Sequence, residues 1–159
     1  MRGARGNAEL RAGRPPVQPP QSLQGVVLDL HHVAIVVGSI DEARALYVDG
    51  LGLAAGEVEH VADQKVNVLV TWAGSQRIEL VEPAAEDSPV TRFLERGGGL
   101  HHLAWRVADV AAALDHLREA GVRLIDEAPR PGAHGTRIAF LHPKSTGGVL
   151  MELVEDPHA

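Results

Sequence analysis

From Val26 onward the chain alternates apolar and polar positions in short runs separated by glycine, proline and capping residues. Over residues 31–37, Val33, Ile35 and Val37 fall on one side of a strand, and His32, Ala34 and Val36 on the other. Ser39-Ile40-Asp41-Glu42 fits a capping box. A helix over about 40–50 should follow, with Ile40, Ala43, Leu46 and Tyr47 on its buried side. Gly50 and Gly52 can end it. Three strand-like runs come next: Leu53 to Val61, Val66 to Trp72 and Gln76 to Val81, the last two joined by a turn at Gly74-Ser75. Asp87-Ser88-Pro89 opens a short helix, with Ser88 as cap and Pro89 at the first helical position, and Gly97-Gly98-Gly99 ends it.

The pattern then repeats. His101 to Val107 alternates, with Leu103, Trp105 and Val107 on one side and His102, Ala104 and Arg106 on the other. Asp109 caps a helix through Ala120 whose apolar positions are Val110, Ala113, Leu114 and Leu117, and Gly121 closes it. Val122 to Ile125 reads as a strand, Pro129-Arg130-Pro131-Gly132 and Gly135 as a loop, and Thr136 to Leu141 and Val149 to Val154 as two more strands. Leu30-His31-His32-Val33-Ala34 recurs as Leu100-His101-His102-Leu103-Ala104, and Ile78-Glu79-Leu80-Val81-Glu82 as Met151-Glu152-Leu153-Val154-Glu155. The caps Ser39 and Asp109 are separated by the same 70 positions as the histidine pairs, so whole β-α-β-β-β units are repeated. The expected fold is α+β, with two paired βαβββ modules forming an open half-barrel. The expected division is a disordered N-terminal tail over 1–25, a first module over 26–85, a connecting helix over 86–99 and a second module over 100–155.

The repeat also organises the candidate chemistry. In all four strands the bulky residues sit opposite His32, Glu79, His102 and Glu152, so these side chains should converge on the concave side. Strict alternation turns His31 and His101 the other way, toward the core, as second-shell or packing residues. A lone strand histidine is more often a packed or surface residue than a ligand; the matched duplication is what makes these four a candidate metal site. Two imidazoles and two carboxylates suit a divalent ion of intermediate hardness, so cobalt, manganese, nickel, iron and zinc are all admissible. His60, His116 and His158 read as surface residues, whereas His134 and His142 lie in glycine- and proline-rich loops that could line a pocket.

Composition narrows the classes. There is no cysteine, which excludes disulfides, thiolate metal sites and a cysteine nucleophile and is compatible with the cytoplasm. The net charge is -6, and residues 1–25 hold four arginines against one acid, so the folded part is the acidic part. That argues against nucleic acid as a partner. No stretch approaches the ~20 apolar residues of a membrane span, and the arginine-bearing N-terminus lacks the apolar core of a secretory signal.

Arg130-Pro131-Gly132-Ala133-His134-Gly135, the run from Phe140 to Leu153, Gly99-Leu100-His101-His102-Leu103-Ala104, and Glu79-Leu80-Val81-Glu82-Pro83 with Asp87-Ser88-Pro89 together resemble the methylmalonyl-CoA epimerase family of the vicinal oxygen chelate superfamily. The resemblance spans about residues 28–155. It implies a metal-dependent epimerase acting at C2 of an acyl-CoA thioester through an enolate. By position, His32, His102 and Glu152 match the family's metal ligands, and Glu79 falls where the family has glutamine or glutamate. The implied cofactor is a divalent ion, cobalt or manganese ahead of nickel or zinc. Glu152 and Glu79 are the expected acid/base pair, and Lys144, Ser145 and Gln64 the expected substrate-binding residues. A cytoplasmic homodimer is expected. Two departures stand out: Val68 occupies a place where some members carry glutamate, and Lys65 one where glycine is usual. The same four ligands also fit a glyoxalase I-type isomerase of a hemithioacetal, and the superfamily includes non-catalytic small-molecule-binding proteins. A dioxygenase fits less well, because its usual iron site has two histidines and one carboxylate.

Overall fold

In the computed structural model residues 25–159 are described; the tail expected before Val26 lies almost entirely outside them. The strands are β1 (Val27–Val36), β2 (Ala54–Val61), β3 (Val66–Ala73), β4 (Gln76–Pro83), β5 (Gly99–Val107), β6 (Arg130–Pro131), β7 (Arg137–Leu141) and β8 (Met151–Glu155). The helices are α1 (Ile40–Arg44), α2 (Thr91–Glu95) and α3 (Val110–Glu119). All eight strands join one mixed sheet in the order β2-β3-β4-β1-β5-β8-β7-β6. The two modules meet along antiparallel β1 and β5. Within each module the first and last strands are parallel and in matching register, Ala34 opposite Glu79 and Ala104 opposite Glu152.

α1 and α3 each pack on the outer face of their own module, whereas Phe93 and Leu94 of α2 pack against Val36, Val68, Val81 and Val90. Ile40 of α1 is buried with Leu69 and Leu80, flanked by Ile35, Val37, Ala43, Tyr47 and Ile78. Val110, Ala113 and Leu114 of α3 pack with Val107, Leu141 and Leu153, flanked by Trp105, Leu117 and Met151. These are the faces that alternation assigned to the core. Ser39 and Asp109 cap their helices, accepting from the amides of Glu42 and Ala112 at 3.2 and 3.0 Å, but Glu42 does not return the second bond of a capping box to the Ser39 amide. A further duplication appears only in three dimensions. Glu82 accepts from the Ile40 amide at 2.7 Å and Glu155 from the Val110 amide at 3.1 Å. The last glutamate of each acidic strand thus satisfies an orphan donor at its module's helix start.

Three expectations are corrected. The helix over 40–50 is α-helical only to Arg44 and continues as a π-helical turn over Ala45–Gly50, and the wider turn swings Leu46 out to 57% exposure. Ser88 is buried but does not cap α2; Val90 holds that position without a side-chain bond, and the helix starts at Thr91. The expected strand at Val122–Ile125 is reduced to a single bridge between Leu124 and Leu141, and the second strand of that module is instead β6, inside the stretch read as a loop. Pro131 is tolerated there because β6 is an edge strand.

The sheet curls until its two ends approach. Arg130 on β6 pairs with Asp63 in the turn after β2 at 3.2 Å, and the His134 amide donates to Glu59 of β2 at 2.8 Å. These contacts bridge the mouth of the half-barrel. Among the described residues no helix is long and apolar enough to cross a membrane.

Candidate active site and metal centre

The concave face encloses a cavity of about 240 Å³. Its floor is His32, Glu79, His102 and Glu152, each no more than 7% exposed. Its walls are apolar, with Val66, Val68, Val81 and Val90 from one side and Ile138, Phe140, Leu150 and Val154 from the other. Strand register explains the convergence. His32 and His102 lie on the two central strands, which face each other across the module seam, and each glutamate lies on the parallel neighbour.

Glu152 Oε2 lies 2.7 Å from His102 Nε2 and 3.2 Å from His32 Nε2, the two imidazole nitrogens are 3.2 Å apart, and Glu79 Oε2 is 3.4 Å from His32 Nε2. His32, His102 and Glu152 present donor atoms within 4.8 Å of one another, and Glu79 makes a second such group with His31 and His32. Neighbouring ligand atoms on an ion bonded at about 2.1 Å stand about 3 Å apart. Buried nitrogen and oxygen lone pairs facing one another at these distances fit a bound divalent cation, for which this donor set is chemically suited.

The electrostatics point the same way. Burial by itself would lower the His32 imidazole, but Glu79 and Glu152 outweigh it and hold it above its ordinary value. Burial would raise the Glu152 carboxyl, but His102 and His32 together hold it well below the usual carboxylate range.

The strict alternation expected at the histidine pairs does not hold. The β1–β5 ladder shifts register between Leu30 and His32, and again between the partners of Ala34 and Ile35, which are His102 and Leu100. His31 and His101 are thus the extra residues of two bulges, related by the same repeat. A bulged residue escapes the face assigned by alternation. Both therefore line the cavity instead of turning to the core. His31 Nδ1 meets His32 Nδ1 at 2.7 Å, and His101 Nδ1 meets His102 Nδ1 at 2.8 Å.

Burial, with the nearby His102 charge adding to it, pushes the His101 imidazole down to about 4 from 6.5. The unfolded chain therefore binds more protons at this position between those pH values, and folding stability falls as pH falls through them. For the metal-free protein, the stability difference between wild type and His101→Gln should move against wild type by about 1–2 kcal/mol from pH 7.5 to pH 5, allowing for partial exposure. Denaturant titrations of both proteins across that range measure it; a pH-independent difference contradicts it.

Of the expected substrate-binding residues, Gln64 lines the cavity, whereas Lys144 and Ser145 are not among its lining residues. Ser145 Oγ instead accepts from the Arg123 amide at 2.9 Å. His134 lines the cavity; His142 does not, and its Nδ1 accepts from the Lys144 amide. Lys65 forms an ion pair with Asp87. Val68, at the place of the missing glutamate, is a buried wall residue. Arg77, Ile125, Arg130 and Thr136 also reach the cavity. Arg77 had a signal in sequence, being two positions before Glu79 on the same strand face, and Arg130 opened one of the runs that carried the family resemblance.

The chain belongs to the Glyoxalase/Bleomycin resistance protein/Dioxygenase superfamily, whose family description matches residues 31–140. An ethylmalonyl-CoA/methylmalonyl-CoA epimerase of Cereibacter sphaeroides is 42% identical over 127 residues, covering 78% of this chain and 95% of its own. The crystal structure of methylmalonyl-CoA epimerase from Mycobacterium tuberculosis superposes with a TM-score of 0.79 at 39% identity, over 84% of this chain and 91% of that one. A methylmalonyl-CoA epimerase in complex with methylmalonyl-CoA and NH4+ superposes with a TM-score of 0.75 at 35% identity, over 80% and 94%. Within the superfamily, the chain is a member of the methylmalonyl-CoA epimerase family.

Proposed function

We propose that the protein interconverts the two configurations at C2 of methylmalonyl-CoA, removing a proton on one face and returning it on the other through an enolate. One observation carries this reading: two buried carboxylates, Glu152 and Glu79, flank the same His32 nitrogen at 3.2 and 3.4 Å on the floor of an apolar cavity. Epimerisation needs two acid/base groups about one carbon. Val68 cannot transfer a proton; Glu79, on the matching strand of the other module, is the second buried carboxylate of the floor and the partner assigned to Glu152. The cavity volume suits the acyl end of the thioester and leaves the nucleotide end outside.

Glu152 takes the C2 proton, being unprotonated at neutral pH beside His102 and His32. Glu79 serves the opposite face. The valine, isoleucine and phenylalanine walls exclude water that would exchange the proton in transit. Gln64 can orient an acyl oxygen, and Lys144 and Ser145 would meet substrate projecting beyond the cavity. A divalent cation held by His32, Glu79, His102 and Glu152, cobalt or manganese ahead of nickel or zinc, would place positive charge at the thioester and carboxylate oxygens where negative charge develops. The frequency of twofold assemblies supports a homodimer, and the lack of cysteine is compatible with the cytoplasm.

Metal-loaded protein incubated with methylmalonyl-CoA in deuterated water should incorporate deuterium at C2, followed by proton NMR, and chelation should stop it. Exchange no faster than the spontaneous rate overturns the epimerase reading. Glu79 as a carboxylate fourth donor also fits a hemithioacetal isomerase, so methylglyoxal with glutathione is the second substrate to run. Faster turnover there would reassign the site.

A further inference from the structure

His31 and Asp156 have no counterpart pair in the second module. Asp156 follows β8, and its Oδ2 lies 2.9 Å from His31 Nε2, with both side chains under 10% exposed. The other ring nitrogen of His31 meets His32 Nδ1 at 2.7 Å. His101 contacts His102 in the same way, yet its ring packs edge-on against Phe93 at 4.8 Å, and among the described residues no carboxylate pairs with it. A chain of three buried groups therefore backs one floor histidine and not the other.

From this geometry we infer that Asp156 and His31 are positioning residues that fix the ring orientation and tautomer of His32, so that its Nε2 faces the cavity as a lone-pair donor. The inference rests on the metal reading of the floor residues. Its logic follows from donor and acceptor counting. A carboxylate can only accept, so His31 Nε2 must carry the hydrogen it shares with Asp156. His31 Nδ1 is then bare and must accept from His32 Nδ1–H. In neutral His32 that leaves Nε2 without hydrogen, directed at Glu79, His102 and Glu152.

Arg77 offers the competing arrangement. Its Nη1 lies 2.7 Å from His31 Nε2 and 3.4 Å from Asp156 Oδ2. If Arg77 donated to Nε2, His31 would donate from Nδ1 and His32 would carry its hydrogen on Nε2, toward the cavity. That tautomer cannot ligate an ion at this atom. Coordination of His32 by a cation therefore selects Asp156 as the partner of His31, with Arg77 balancing the buried carboxylate. Such carboxylate–histidine support behind a ligand is typically worth 10–100-fold in metal affinity.

The test uses zinc alone, by calorimetry at neutral pH, on wild type, Asp156→Asn and His31→Phe, with nitrogen-15 NMR of the histidine rings. Wild type should bind one zinc ion. Both variants should bind 10–100-fold more weakly, and zinc-loaded wild type should show hydrogen on His31 Nε2 and His32 Nδ1. Affinities within twofold of wild type overturn the positioning role while leaving the metal site standing. Wild type that binds no zinc overturns the metal reading and this inference with it. The NMR on wild type decides even if a variant fails to fold: a bare His31 Nε2 in the zinc-loaded protein overturns the inference.

Discussion

Replacing Glu152 by glutamine should lower epimer interconversion, and C2 exchange of the one epimer whose hydrogen faces Glu152, by about 10²–10⁴-fold, the usual contribution of a positioned proton-transfer group. The amide keeps the shape of the carboxylate and can still present an oxygen to His102 and His32, now at 2.7 and 3.2 Å from Oε2. It cannot accept a proton from carbon. The side chain is 5% exposed, so bulk water cannot readily take its place. Exchange should be measured at saturating metal, because losing one negative donor also weakens the cation site. A decrease smaller than tenfold in epimer interconversion under those conditions removes Glu152 from the acid/base role.

Glu79→Gln separates epimerisation from exchange. If Glu79 serves the face opposite Glu152, the variant should interconvert epimers at least about 10²-fold more slowly. Deuterium should still enter the one epimer whose C2 hydrogen faces Glu152. Starting from each pure epimer in deuterated water, exchange and inversion are followed separately. The amide oxygen of glutamine keeps a lone pair that can ligate at this position, so metal binding should survive. Undiminished inversion would show that Glu79 only ligates, and the second proton carrier would have to be sought among the other polar cavity residues, such as Arg77 or His134.

Much of this architecture was legible because it is written twice. The repeated His-His and Glu-x-x-Glu strands, set in equivalent units with caps at Ser39 and Asp109, identified the helices, the outer faces and the four floor side chains. Periodicity succeeded wherever a strand kept its pleat. It failed at His31 and His101, where one extra residue in each ladder reverses the face, and at Leu46, where a π-helical turn changes the angular step. It also failed at Val122–Ile125. Three apolar residues around Arg123 can form a strand, but on the edge away from β8 the strand that β7 pairs with is Arg130–Pro131.

The sequence by itself determined the two-module plan, the apolar faces and the identity of the four convergent groups, since these follow from local alternation and internal repetition. It also held the resemblance that pointed to the epimerase family. Only the tertiary structure decided which strands join the modules, how the edges meet through Arg130–Asp63 and Glu59–His134, and what stands behind His32. Asp156 and His31 are 125 positions apart. No local pattern relates them, because their contact depends on β1 and β8 being carried into one sheet by β5. Bulges likewise depend on the register of two distant strands, and it is the bulges that turn both His-His pairs toward the cavity.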